Sequence, residues 1–127
     1  MQTELQEILV VIGRLLLGGL FVAGGSRHFF IIPRLSQKIA QRGVPAPVLV
    51  LLAGTVFQIA AGILLILGVF VPWAALGLIV FTLAASFMLL NFWSMEGAEK
   101  ERTINVWQSN FAVIGGLLLA AAHSMQV

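Results

Sequence analysis

Long apolar stretches alternate along the chain with short polar interruptions. Four of these stretches, at about 8–30, 48–70, 73–93 and 104–123, are long enough for a helix that crosses a bilayer, which takes about 20 residues. None shows the two-residue alternation of a membrane β-strand, so a barrel is not indicated. The connections differ in kind. GVFVP joins the second stretch to the third; Gly68 suits a helix end and Pro72 a first turn, which predicts an antiparallel hairpin. PRLSQKIAQRGVPAP joins the first to the second. There Leu35 and Ile39 fall on one side and Arg34, Lys38, Gln41 and Arg42 elsewhere. That pattern predicts a turn or two of amphipathic helix at the membrane surface, with a plain hydrophilic loop as the alternative. The third connection holds Glu96, Glu99, Lys100, Glu101 and Arg102 and reads as a solvated, charged loop. The predicted fold is an all-α membrane protein. It is a single domain over residues 1–127, a four-transmembrane-helix up-down antiparallel bundle with a short amphipathic interfacial segment between helices 1 and 2.

Composition agrees with the pattern. The chain is 60% hydrophobic and 9% charged, with a mean hydropathy of +1.04. A water-soluble domain carries roughly 25% charged residues, so the first partner of this surface is the lipid bilayer. Cysteine is absent, which excludes disulfides, thiolate metal sites and dithiol redox chemistry within the chain. The net charge of +2 reads as membrane orientation and not as nucleic-acid binding. Arg27, Arg34, Lys38, Arg42, Lys100 and Arg102 flank the first and third connections, whereas the other side has only Arg14, already inside a helix. The positive-inside bias then places both connections in the cytoplasm and both termini on the periplasmic side of a cell inner membrane. The opening MQTELQE is acidic, unlike the basic start of a cleavable leader.

Lipid gives helices no hydrophobic reason to associate, so small residues that permit close approach carry information. Gly18 and Gly25 in the first helix, Gly54 and Gly62 in the second, and Gly115 and Gly116 in the fourth are the expected packing positions. The alternative is that these glycines shape a cavity for a lipid or a quinone. Polar groups at membrane depth need partners and are the functional candidates: Arg14, His28, Gln58, Asn91 and Asn110. Arg14 either snorkels to the outer interface or turns inward. Gln58, near the middle of its helix, reads as an interhelical clamp or a ligand contact. In an up-down bundle Asn91 and Asn110 fall at similar depth on either side of the charged connection. Trp93 and Trp107 stand beside them, as an interfacial aromatic belt would. His28 lies at the same level, so the three side chains are expected either to line a site there or, for the asparagines, to cap helix ends or bond each other.

Three segments carry a family likeness: RLLLGGLFVAGGSRHFF, VPAPVLVLLAGTVFQIAAGILLILG and NFWSMEGAEKERTINVWQSNFAVIGGLLLAA. In order and spacing they resemble the DoxX family of small four-helix membrane proteins. The most telling features are Arg14 before the glycine-rich run, the G-x-x-H ending at His28, Asn91-Phe92-Trp93, and Asn110 with Gly115-Gly116. The resemblance implies association with oxidoreductase systems, as in a subunit of an archaeal thiosulfate:quinone oxidoreductase and a membrane partner in bacterial oxidative-stress complexes. The chain also departs from the family pattern. Gln58 stands where a glutamate is usual, Leu90 where many relatives have histidine before Asn91, and Ser109 where lysine often precedes Asn110. Three ionisable positions are neutral here, which argues against a proton relay through them.

The sequence therefore supports no catalytic residue and no metal site, because one histidine without a carboxylate is a poor base and a poor metal ligand. The preferred reading is a non-catalytic membrane subunit or partner of a redox protein system. Its alternative is a binding or transport module for a lipid, quinone or other hydrophobic small molecule. Homo-oligomerisation stays open.

Overall fold

The computed structural model describes residues 2–125. It is all-helical, with five helices and one short 3-10 turn among the described residues: α1 (Gln2–His28), α2 (Ile32–Gln41), α3 (Pro47–Leu67), α4 (Val71–Leu89), the 3-10 turn (Phe92–Ser94) and α5 (Gly97–Ser124). Helices α1, α3, α4 and α5 are long and apolar enough to cross a membrane. They pack in chain order around a ring, α1 on α3, α3 on α4 and α4 on α5, with α5 returning to α1. One end of the bundle carries the start of α1, the end of α5 and the α3–α4 turn. The other, the α2 end, carries α2 and the 3-10 turn.

Local chemistry sets the helix ends. Gly68 closes α3 at φ +74, with its N–H donating to the Leu65 carbonyl and that of Val69 to the Leu64 carbonyl. This six-to-one and five-to-two pairing satisfies carbonyls the helix would otherwise leave free. Pro47 and Pro72 then sit in the first turns of α3 and α4, where no N–H is missed. At the start of α5 the structure departs from the sequence expectation. The charged connection is not a loop: Glu99, Lys100, Glu101 and Arg102 lie in the first turns of α5, and only residues 90–96 link it to α4. Hydropathy finds the stretch that fits lipid, whereas the helix continues beyond it. Acidic side chains in a first turn favour that continuation through the helix dipole, and Glu99 sits there.

The ten-residue α2 is fully formed and amphipathic, as the spacing of Leu35 and Ile39 indicates. Its apolar face rests on the protein itself. Leu35 and Ile39 pack with Leu51 of α3, and Met88 and Leu89 of α4 flank them. A second, larger core occupies the terminal half, with Leu65, Leu78 and Leu117 wholly enclosed.

The α1–α3 contact is the closest in the bundle, and glycines make it. A Cβ on Gly62 would lie 2.8 Å from the Gly18 carbonyl oxygen and 3.0 Å from Val22 Cγ2. One on Gly18 would run into the Gly62 carbonyl and Ile66. Backbone cannot yield as a side-chain tip can. Gly18→Ala should therefore destabilise the protein by about 1–3 kcal/mol, as overpacking does. Gly19→Ala, where a Cβ meets nothing within 4 Å, should stay within about 0.5 kcal/mol. Reversible unfolding in mixed micelles, followed by circular dichroism, reads both; equal losses for the two variants would contradict the packing described.

Candidate functional site

Between the two apolar cores lies a polar layer, and it surrounds a cavity of about 380 Å³. The glycines of α1 explain how α3 supplies its part. A Cβ on Gly25 would sit 2.6 Å from Ile59 Cγ1, and one on Gly24 would sit 3.1 Å from Gln58 Nε2. With both absent, Gln58 reaches the α1 backbone and its Nε2 donates to the Phe21 carbonyl at 2.9 Å. One carbonyl has two lone pairs, so it can take this bond alongside its helical one. Gln58 is 6% exposed, and its other amide atom, Oε1, has no hydrogen-bond partner. One turn earlier on α3, Thr55 Oγ1 meets Nδ1 of His28, the last residue of α1, at 3.0 Å.

Helices α4 and α5 supply the facing wall. Ser86 Oγ donates to the Thr82 carbonyl at 2.7 Å and accepts from Asn110 Nδ2 at 2.9 Å. Thr82, 7% exposed, has an Oγ1 with no partner. His28, Thr55, Gln58, Thr82, Ser86 and Asn110 all line the cavity; Phe21, Leu51, Phe81 and Met88 are among its apolar walls, and Ile39 of α2 borders it at the α2 end.

Of the five polar candidates named from sequence, three share this cavity: His28, Gln58 and Asn110. Asn91 is not among them. It precedes the 3-10 turn without capping it through its side chain, and its carbonyl accepts from the Ser94 N–H at 3.0 Å. Arg14 belongs to the opposite end. Its guanidinium turns inward against Gly68, beside a second cavity of about 350 Å³ bordered by Glu7 and His123. There the C-terminus of α3 offers a cation the negative end of the helix dipole. Sequence reading overlooks Thr82 and Ser86, although they stand out as a pair one turn apart in an otherwise apolar span. Thr55 is likewise visible in its span beside Gln58 but is not singled out by the pattern alone.

The tryptophans also divide. Trp107 is not part of an interfacial belt. It is 9% exposed, and its Nε1 donates to the Leu90 carbonyl at 2.6 Å, beyond the last turn of α4. Phe87 meets it edge-on at 5.1 Å and Phe92 at 5.9 Å. Trp93 is half exposed, and the Arg42 guanidinium lies 5.6 Å over its ring. Arg42 Nη2 also donates to the Phe87 carbonyl at 3.1 Å, fastening the end of α2 to the end of α4. That carbonyl belongs to the helix terminus, where a cation is favoured.

Among the described residues no three His, Cys, Asp or Glu side chains gather as a metal would need. What the layer offers is a set of neutral hydrogen-bonding groups facing an apolar-walled space inside a four-helix membrane bundle. The sequence profile of the DoxX family matches residues 9–91, and the chain belongs to that family of integral membrane proteins. Among its relatives is Inner membrane protein YphA of Escherichia coli (strain K12), 30% identical over 117 residues, which cover 91% of this chain and 83% of that protein. No solved structure matches the chain.

Removing the Gln58 clamp has two opposing effects on stability. Gln58→Leu loses the bond to Phe21 but also removes an unpartnered buried oxygen. Hydrogen bonds between membrane helices average about 0.6 kcal/mol. The variant should thus lose no more than about 1 kcal/mol of stability in the same unfolding titration, because an unpaired polar atom is itself costly. A loss several times larger would mean that Oε1 is paired in the folded protein.

Proposed function

We propose that this DoxX-family protein is a non-catalytic binding module that holds a hydrophobic small molecule, of the lipid or quinone kind, between its helices. The observation that carries the reading is the pairing of an apolar-walled cavity with two buried, unpartnered oxygens, Gln58 Oε1 and Thr82 Oγ1. Buried polar atoms are almost always satisfied, and exceptions ask for a missing partner. Ligand pockets generally combine mostly apolar walls with a few convergent polar groups. The redox association implied by the family resemblance fits as a partnership: a membrane subunit that delivers such a molecule to a redox protein, or receives it from one. The Lys and Arg distribution supports an inner-membrane orientation with the α2 end cytoplasmic and both termini periplasmic.

Two measurements test this reading. Protein purified in mild detergent, extracted with organic solvent and analysed by mass spectrometry, should release one hydrophobic species in near-stoichiometric amount. Filling the cavity through Ala85→Phe, which adds bulk to its wall and removes no hydrogen bond, should abolish that species while leaving the bundle folded. An identical extract from both proteins would defeat the binding reading, and a tightly bound protein partner in the same preparation would favour the redox-subunit role. For orientation, the cysteine-free chain allows single replacements. Glu4→Cys in intact cells with a permeabilised outer membrane should react with a membrane-impermeant maleimide, and Ala98→Cys should react only after lysis. The reverse pattern would invert the topology.

A further inference from the structure

The walls of this cavity carry information about the head of its ligand and about the route of entry. Building on the binding role proposed for the cavity, on which this step rests, we propose that the ligand is a neutral amphipath with a hydroxyl head, such as a long-chain phenol or alcohol. It enters sideways from the bilayer between α3 and α4.

The head is set by the unpartnered atoms. Gln58 gives one Nε2 hydrogen to the Phe21 carbonyl, and that bond fixes its amide with Oε1, an atom that can only accept, unpartnered. A ligand carbonyl or ether can only accept as well and would leave Oε1 unpaired. A hydroxyl can donate to Oε1 and accept from the Thr82 hydroxyl, the other unpartnered group on the cavity wall. A charged head is disfavoured on separate grounds. No Lys, Arg, Asp or Glu lines the cavity, and the one histidine on its wall, His28, has its Nδ1 engaged with Thr55. An ion taken into such a space would lose its hydration without gaining a counter-charge.

The route is set by how α3 and α4 meet. Toward their shared turn the seam between them is shut. Phe57 covers Gly77, with a Cβ there only 2.7 Å from Phe57 Cζ, and the Phe57 and Phe81 rings stand 6.1 Å apart. Toward the α2 end the cavity reaches the seam. Its wall there is Val50 and Gly54 of α3 with Ala84, Ala85 and Met88 of α4, and Ala84 is exposed on the surface that lipid covers. Ala84 and Ala85 are small, so an alkyl tail can lie across them beside Gly54, against which the Phe81 ring packs. At the α2 end Ile39 stands over the cavity. A tail in the bilayer and a head beside Gln58 and Thr82 suit both features.

The test uses the full-length protein in lipid nanodiscs, with 4-octylphenol and its methyl ether, 1-methoxy-4-octylbenzene, as probes of equal tail. Binding is expressed per mole fraction of probe in the bilayer, so that partitioning cancels. The phenol should bind about tenfold more tightly than the ether, since the ether leaves an acceptor unpaired. Gln58→Leu should bring the two probes together, and Thr82→Val, which keeps the shape and removes the hydroxyl, should narrow the gap. Ala84→Trp should slow phenol uptake several-fold, whereas Leu119→Trp, on the outward face of α5, should not. Binding of both probes with equal strength, unchanged by either cavity variant, would overturn the hydroxyl assignment and leave the binding reading standing. Uptake by Ala84→Trp at the rate of the unaltered protein would overturn the route. Failure of both probes to bind at all would overturn the binding reading along with this inference.

Discussion

The bond from Gln58 Nε2 to the Phe21 carbonyl is the contact on which the polar layer depends. It needs two helix backbones to come within reach of one side chain, which in lipid requires residues without Cβ atoms. Gly18 and Gly62 give that approach in the terminal half of the bundle; Gly24 and Gly25 give it beside the amide. Once Nε2 is committed, the orientation of the amide is fixed and Oε1 must face elsewhere. The unpartnered acceptor on this cavity-lining residue is thus a consequence of the α1–α3 packing. A packing constraint and an unpartnered buried acceptor reside in one side chain.

The two ends of the bundle are built on different principles. In the terminal half Leu65, Leu78 and Leu117 close a core, with the second cavity lying beyond it beside Arg14, and the Gly68 turn holds α3 and α4 together. At the α2 end the helices are joined by side groups reaching for chain termini: Arg42 to the Phe87 carbonyl and Trp107 to the Leu90 carbonyl. Arg42 satisfies a carbonyl near the end of α4, and Trp107 shares the Leu90 carbonyl with the Phe92 N–H; the two bonds hold α2 and α5 against α4 without filling the space between. The apolar face of α2 then closes against Leu51, Met88 and Leu89. A cavity survives because the groups that stabilise this end sit at its rim.

Much of this is legible in the sequence, because lipid imposes simple rules. Span lengths, the α3–α4 hairpin from Gly68 and Pro72, and the amphipathic α2 all come from patterns local to a few residues. Three cavity residues, His28, Gln58 and Asn110, stand out in the sequence because polar side chains are rare at such depth. Asn91 meets the same criterion and lies outside the cavity. Its placement depends on the α4 helix ending at Leu89, shortly before a 3-10 turn, and helix ends are weakly encoded. Trp107 departs from expectation for a related reason. A tryptophan near a membrane surface satisfies the rule for an interfacial belt whether it points outward or inward. Only the position of the Leu90 carbonyl decides between the two.

Thr82 and Ser86 show the limit of reading polar residues one at a time. A threonine or serine in a membrane helix can satisfy itself by donating to the carbonyl one turn back, and it then carries little meaning. Ser86 does so, to Thr82. It also accepts from Asn110, which ties α4 to α5 across the cavity wall. Thr82 is the residue one turn earlier, and its hydroxyl does not make the local bond. From sequence the two are equivalent; in the structure one is spent on holding the wall and the other has no partner. That difference arises from the partner helix, since the asparagine at position 110 reaches Ser86 and not Thr82. The unpartnered polar atoms Gln58 Oε1 and Thr82 Oγ1 are therefore what remains after the interhelical contacts have taken the groups they need.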